Sequence, residues 1–392
     1  MPRVGDVDMT DVAALAKERE QLFRDLFSGK TPKRVPVTNP ATLEFAIQYY
    51  GEDLAEAQWD VPRLEAILDK FCQDFPTDTT PIGSLRLPAF YQMLGSKAIV
   101  MGSGGFMQHP EVVGLLPEEY DDFIAAPYDF IIDTVLPRLY TELDAEPSQK
   151  ALVLAKAMKA YYDDYACLGQ IRDRVNAKHG LVAPMVALTE APFDFMADFL
   201  RSFKGISSDV RRYPDKVLAA CEAVTPIMVK KGKLPVPGVL GFTFIPLHMA
   251  PYMRDKDFEK FYWPTFKTLV EECVAMGQNV QLFVENDWMR YLDYLYELPE
   301  NTIMRFEYGD PKVVAEKLGK KHIISGFYPV TLLQTGTEEQ CIDKAKELLD
   351  ILAPTGKYWF QADKSIISAD KEGKVANNLR AVLRYFMENG SY

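Results

Sequence analysis

Residues 241–266 read GFTFIPLHMAPYMRDKDFEKFYWPTF and, after an amphipathic stretch, residues 279–287 read NVQLFVEND. Two apolar runs with little polar alternation, separated by a helix-length segment, read as strands of a parallel sheet covered by helices on both faces. Each run delivers one polar residue, His248 and Glu285, where the chain leaves the sheet. In alternating strand–helix proteins that is the end at which chemistry gathers.

The same rhythm continues on both sides of this stretch. Strands are expected at 181–188, 239–247, 279–284, 302–307, 322–326 and 357–361, with helices at 192–203, 212–230, 255–276, 288–297, 311–318, 337–351 and 374–388. Upstream, residues 9–28 suit an amphipathic helix with Thr10 as its cap and Val12, Leu15, Leu22, Leu26 and Phe27 as its apolar positions. A short strand follows at Val35-Pro36-Val37, then helices at 41–50 and 60–73, turns and short strands over 78–101, and helices at 118–124, 129–143 and 148–179. About eight strands alternating with helices make a closed (β/α)8 barrel of the TIM type, with a helical N-terminal extension over residues 1–34. A doubly wound open sheet is the alternative, but no GxGxxG or GxxxxGK[ST] follows a strand, and GSGG at 102–105 reads as a loop. Nothing divides the chain, so residues 1–392 read as one domain.

Composition narrows the partners. With 392 residues, 48% of them hydrophobic, the chain can bury a large core. A net charge of −12 without a basic stripe speaks against nucleic acid and for a small molecule or a protein partner. The five cysteines lie far apart with no CxxC spacing, the pattern of reduced cytoplasmic thiols rather than disulfides or a thiolate metal cluster. No run of about 18 apolar residues occurs and the N-terminus mixes charges, so a soluble, cytoplasmic protein without a membrane anchor is expected.

The late strands end in polar or aromatic groups: His248, Glu285 and Asp287, Glu307 and Asp310, Tyr328, and then Gln361, Asp363 and Lys364. On a barrel these ends converge on one bowl. Each residue also has a plainer reading. His248 suits a core histidine donating to a carbonyl, and Glu285 a buried salt bridge or a helix N-terminus. Asp287 and Asp310 sit where N-caps sit, and Asp363-Lys364 suits a self-satisfied surface pair. The catalytic candidates are His248, Glu285, Asp363, Lys364 and Tyr328. Those for substrate binding are Asp287, Trp288, Asp310, Phe327 and Gln361. Phe258, Phe261 and Tyr262 have the spacing of core packing. No GxSxG elbow, HExxH helix or strand lysine occurs, which removes the corresponding hydrolase and aldolase chemistries. A carboxylate-rich bowl with one histidine suits a divalent metal or acid–base work on an anionic ring compound.

HMAPYMRDKDFEKFYWPTF (248–266), LFVENDWMRYLDYLYELPE (282–300), GFYPVTLLQTGTEEQ (326–340) and NNLRAVLRYFMENGSY (377–392) resemble the uroporphyrinogen decarboxylase superfamily, in its branch of corrinoid-dependent methyltransferases. Residues 108–131 and 192–217 resemble the same branch. The resemblance implies a (β/α)8 barrel and a homodimer. Porphyrinogen decarboxylases carry an N-terminal RQAGR motif that grips substrate carboxylates, where this chain has RVPVTNPATLEF (34–45). Thiol-methylating relatives carry HxC and a late cysteine; here FVE and QADKS stand in those places, so Glu285 and Asp363 fall where thiolate ligands would.

What the resemblance implies is the methyltransferase component of an O-demethylase. A methoxylated aromatic would bind in the bowl and give its methyl group to Co(I) cobalamin on a separate corrinoid protein, since the chain has no corrinoid-binding DxHxxG sequence. Zinc held by His248, Glu285 and Asp363 would act as Lewis acid, with Lys364, Tyr328 or Asp363 orienting the ring or donating a proton. Glu300 and His322 loosely echo an alternative ligand spacing with Glu285, but His322 begins a strand, at the other end of a barrel. A metal-free decarboxylase or lyase on a small aromatic or pyrrolic acid, and a non-catalytic ligand-binding barrel, are the competing functions.

Overall fold

The structure, a computed structural model, describes residues 9–81, 87–236, 238 and 240–392. The start expected for one strand at Val239 and part of the turn-rich stretch at 78–101 lie outside these residues, and the Thr10 side chain is likewise not described. Five parallel strands form a sheet in chain order: Val186–Leu188, Phe242–Leu247, Asn279–Val284, Ile303–Phe306 and Ile323–Gly326. Three shorter segments complete the ring through isolated parallel bridges. Ile324 pairs Tyr358, Val37 pairs Phe360, and Thr79 pairs Val182. Asp78 N donates to Val37 O at 2.8 Å, and Phe242 N donates to Met185 O at 3.0 Å, which joins the last neighbours. Five strands and three bridged segments therefore make the expected (β/α)8 barrel.

The bridged segments lack regular ladders for a chemical reason. Pro36, Pro40, Pro81 and Pro184 remove donors just where these segments would pair. Pro246 is accommodated differently: the neighbouring strand pairs only as far as Phe244, so the Pro246 nitrogen faces no ladder on that side.

The N-terminal helix Met9–Phe27 closes the bottom of the barrel. Its Phe23, Leu26 and Phe27 pack with Phe242, Ile303 and Ile323, each the first residue of a strand, and with Trp359. The Phe23 and Trp359 rings meet edge to face at 5.3 Å. Buried Asp78 ties this plug down, accepting from Arg19 Nε at 3.1 Å, from both terminal nitrogens of Arg34 at 2.7 Å and from Val37 N at 2.8 Å. Two guanidinium groups and a backbone donor compensate the burial of one carboxylate. One contiguous hydrophobic core then runs from Val35 to Phe386.

The helical outer layer follows the expected spans closely, as in Pro147–His179, Pro311–Leu318 and Lys374–Asn389. Differences arise at prolines and π-turns. The helix expected across Pro137 is a π-turn at Ile131–Val135 between short α segments, and the helices expected at 192–203 and 255–276 contain π-turns at Met196–Arg201 and Phe258–Tyr262. Residues 102–105 form the turn of a hairpin pairing Val100–Met101 with Met107–Gln108. Among the described residues no helix is long and apolar enough to cross a membrane.

Candidate active site

Strand alternation decides which side chains enter the barrel. Phe242 and Ile303 point into the plug, so their strands turn every second residue inward. Phe244, Pro246 and His248 lie on that side of one strand, and Arg305 and Glu307 on that side of another. In the strand between, Gln281 and Phe283 share the side and Glu285 continues the register. Cross-barrel contacts agree: Gln281 Nε2 donates to Gln361 Oε1 at 2.7 Å, Phe244 stacks on Phe283, and the Arg305 guanidinium lies 4.8 Å from the Phe283 ring centre. His248 and Glu285 are thus the top of two inward ladders.

His248 is held on every side. Its Nδ1 donates to Asp198 Oδ2 at 2.9 Å and its Nε2 lies 3.3 Å from Glu285 Oε1. Asp194, fully buried, accepts from the backbone N of His248 at 3.1 Å, from Met249 N at 2.9 Å and from the Tyr262 hydroxyl at 2.6 Å. Burial alone would push the imidazole down, but its bonds to Asp198 and Glu285, with the charge of Asp194 nearby, raise it to about 11. The ring is therefore an imidazolium at neutral pH. Burial pushes the Asp194 carboxyl up to about 7, against the pull of His248 and Tyr262. Glu190, at the exit of the Val186–Leu188 strand, is also buried. It accepts from Lys231 Nζ at 3.3 Å through Oε1 and leaves Oε2 without a partner, and burial raises its pKa.

Four residues of the bowl went unread in the sequence: Glu190, Asp194, Asp198 and Arg305. Asp194 and Asp198 stand four apart in PFDFMADFLR, directly after a strand, so both carboxylates fall on one helix face amid apolar residues. Arg305 interrupts the apolar strand Ile303–Phe306, where only a lumen-facing, compensated cation is tolerable. Those two spacings were the available signals.

The other candidates divide. Gln361 and Asp363 continue the inward side of the segment that carries Trp359. Lys364 Nζ donates to Glu307 Oε1, and Glu307 Oε2 accepts from Asn286 N at 2.8 Å, a rim pair beside the bowl. Asp363 spends Oδ1 on Val330 N at 3.0 Å and Lys364 N at 2.7 Å, holding the start of the helix Val330–Thr335.

Five candidates are placed elsewhere. Tyr328, one residue out of phase with the inward ladder, is buried against Phe360 and donates its hydroxyl to Cys341 O at 3.1 Å. Trp288 is buried in the aromatic cluster of Phe258, Tyr262, Phe266 and Tyr291 behind the strands. Phe327, at φ +64°, stacks on Phe306 with ring centres 5.1 Å apart. Asp310 caps its helix through Lys312 N and Val313 N, and Asp287 accepts from Met289 N at 2.9 Å. Both aspartates line an outer hollow with Tyr308, Lys312 and Glu347. Phe258, Phe261 and Tyr262 are core, as their spacing implied.

A zinc ion on His248, Glu285 and Asp363 does not fit this arrangement. Among the described residues no group of three or more His, Cys, Asp or Glu side chains is placed to hold a metal. Both nitrogens of His248 face carboxylates, and Arg305 lies within the electrostatic reach of Glu285, Glu307 and Asp363 together. A guanidinium thus supplies positive charge where the three carboxylates would need it. The alternative set fails as well, because His322 is buried at the foot of its strand and Glu300 is exposed.

Comparison with known proteins agrees with this architecture. The model of the family described as Uroporphyrinogen decarboxylase (URO-D) matches residues 149–370. A solved methyltransferase from Methanosarcina mazei superposes with a TM-score of 0.59 over 95% of this chain and 98% of that one, at 16% identity, which is a likeness of fold. No curated protein matches the sequence.

Proposed function

We propose that this chain, which belongs to the uroporphyrinogen decarboxylase family, is a methyltransferase that removes the methyl group of a methoxylated aromatic and passes it to Co(I) of a separate corrinoid protein. The observation that carries the reading is the His248 imidazole, fixed between Asp198 and Glu285 at the mouth of the barrel. Transfer of a methyl cation to Co(I) leaves an aryl oxide, whose oxygen gains electron density as the C–O bond breaks. The leaving oxygen takes the place of Glu285 Oε1, 3.3 Å from Nε2 at the open side of the ring, and there receives the Nε2 proton of the imidazolium, so an aryl methyl ether, Co(I) and one proton yield a phenol and methyl-Co(III). The bonds to Asp198 and Glu285 raise the proton affinity of His248, so the ring meets the leaving oxygen as a cation. Asp198 fixes the ring through Nδ1, and Glu285, with 30% of its side chain exposed, returns a proton from solvent to Nε2.

The family's decarboxylase chemistry is disfavoured by the fate of Arg34. It starts the segment that stands in place of the carboxylate-gripping motif, and both its terminal nitrogens are committed to Asp78. A second reading rests on the same imidazolium: a metal-free lyase in which His248 protonates the carbon that loses carbon dioxide.

The test is incubation of the full chain with Co(I) cobalamin and methoxybenzenes, with metal analysis of the same preparation. Formation of methylcobalamin and a phenol in equal amounts supports the proposal. Release of carbon dioxide from aromatic acids without methylcobalamin would assign the lyase.

A further inference from the structure

The carboxylate that fixes His248 stands on backbone that departs from a regular helix. Asp198 lies in the π-turn Met196–Arg201, and its Oδ2 accepts from Nδ1 of the ring at 2.9 Å. Such turns are rare inside α-helices and recur at functional sites. The next residue, Ser202, sits at φ +63° and ψ 162°, a region that glycine enters freely and other residues only under strain. A strained conformation persists only where its surroundings hold it.

A separate loop does the holding. Gly114 N and Leu115 N both donate to Leu200 O, at 2.9 and 2.8 Å. Arg201 donates to Leu115 O through Nη1 and to Asp209 Oδ2 through Nε at 2.5 Å, and Asp209 also accepts from the Tyr120 hydroxyl at 2.8 Å. A Cβ on Gly114 would stand 2.5 Å from Phe199 O and 2.8 Å from Val135 Cγ1. The loop therefore meets residues 199, 200 and 201, the three that follow Asp198. It is anchored in turn: Arg138 donates to Gly114 O at 2.6 Å and to both oxygens of Glu119, at 2.9 and 2.7 Å.

Arg201 and Asp209 are both buried, and a buried ion pair adds little stability over apolar residues of the same volume. Strain, a buried ion pair and a π-turn thus converge within a few residues of Asp198, and packing alone selects none of them.

We propose that Gly114 and Arg201 are positioning residues: the loop holds the π-turn so that Asp198 meets Nδ1 of His248 and leaves Nε2 facing Glu285 and the bowl. The proposed function enters only in what Nε2 then does; the clamp is argued from its own bonds. Alanine at 114 meets a backbone oxygen that cannot swing aside, so the loop or the π-turn has to shift. The carboxylate then moves off the ring through a contiguous set of contacts.

Two readouts on the full chain separate positioning from mere support. In proton NMR, the His248 Nδ1–H, donated to a carboxylate, should give a low-field signal that is missing in His248→Gln. Gly114→Ala should shift or abolish this signal while circular dichroism shows the same fold. Arg201→Lys, which keeps a cation for Asp209 and loses the bond to Leu115 O, should shift it less. With Co(I) cobalamin and methoxybenzene, Gly114→Ala should lower kcat roughly tenfold to a hundredfold, the cost of a misplaced group, and leave KM within about twofold. An unmoved signal with wild-type kcat in folded Gly114→Ala would overturn the clamp, even if the unfolding midpoint fell. Should Gly114→Ala not fold, the same result in Arg201→Lys would overturn it. A signal that moves with the clamp in a protein that transfers no methyl group would sink the proposed function and leave the clamp standing.

Discussion

The two ends of the barrel solve opposite problems with the same architecture. At the N-terminal end, Phe23, Leu26 and Phe27 seal the lumen against Phe242 and Trp359. At the C-terminal end the lumen carries an imidazolium between two carboxylates and an arginine within electrostatic reach of Glu285, Glu307 and Asp363. The contrast is sharpest in two histidines. His248 is raised by its carboxylates, whereas His322, fully buried at the foot of its strand, is pushed down to about 4 by burial and the nearby Lys321. One end is built for stability and the other carries polar groups that packing alone would not select.

Breaking the upper end should cost the most in activity. His248→Ala or Glu285→Ala is expected to lower methyl transfer by about 10²- to 10⁴-fold, the range for a lost acid–base group, with the folded signal by circular dichroism retained. Breaking the lower end should reverse the pattern. Phe23→Ala should cost about 3–5 kcal/mol in urea unfolding, with binding of methoxybenzene near that of the wild type in the protein that remains folded.

The lower histidine gives the comparison a pH axis. A histidine whose folded pKa is depressed contributes stability that is present above its unfolded value of about 6.5 and is lost as pH falls through the folded value of about 4. The unfolded chain binds the extra proton in that window, so acid favours unfolding there. His322→Gln should therefore flatten the stability curve between these limits, read from denaturant midpoints at each pH. His248 has the opposite sign: its contribution is complete below about 6.5 and is lost only as pH rises towards about 11. Smaller effects test the reassigned residues. Tyr328→Phe should cost about 1 kcal/mol for its bond to Cys341 O, and Asp310→Ala about 0.5–2 kcal/mol for its cap, both leaving turnover unchanged. A large loss of turnover in either would return that residue to the bowl.

Much of the fold was legible because strands and helices differ in period. Runs such as Asn279–Val284 and Pro311–Leu318 lie where their apolar spacing put them. Of the bridged segments, those at Val37 and Tyr358 were legible as short apolar runs, whereas Thr79 falls in the turn-rich stretch, where Pro81 leaves too few donors to look like a strand. In the bowl, His248 and Glu285 were legible from their place at strand ends. Tyr328 and Trp288 were misjudged because closeness to a strand end does not tell which face a side chain takes; a shift of one residue in a period of two sends it to the helix layer. Arg305, Asp194 and Asp198 were hidden for another reason: their roles depend on partners far away in the chain, such as Ala362 and His248.

The most direct test of the central claim is the disappearance of Co(I) absorbance on mixing the wild type or His248→Ala with methoxybenzene and cob(I)alamin. The account predicts that wild type converts Co(I) to methylcobalamin with one phenol formed per methyl group, and that folded His248→Ala is slower by about 10²-fold or more. Equal rates in the two proteins, or loss of Co(I) without a phenol, would contradict it.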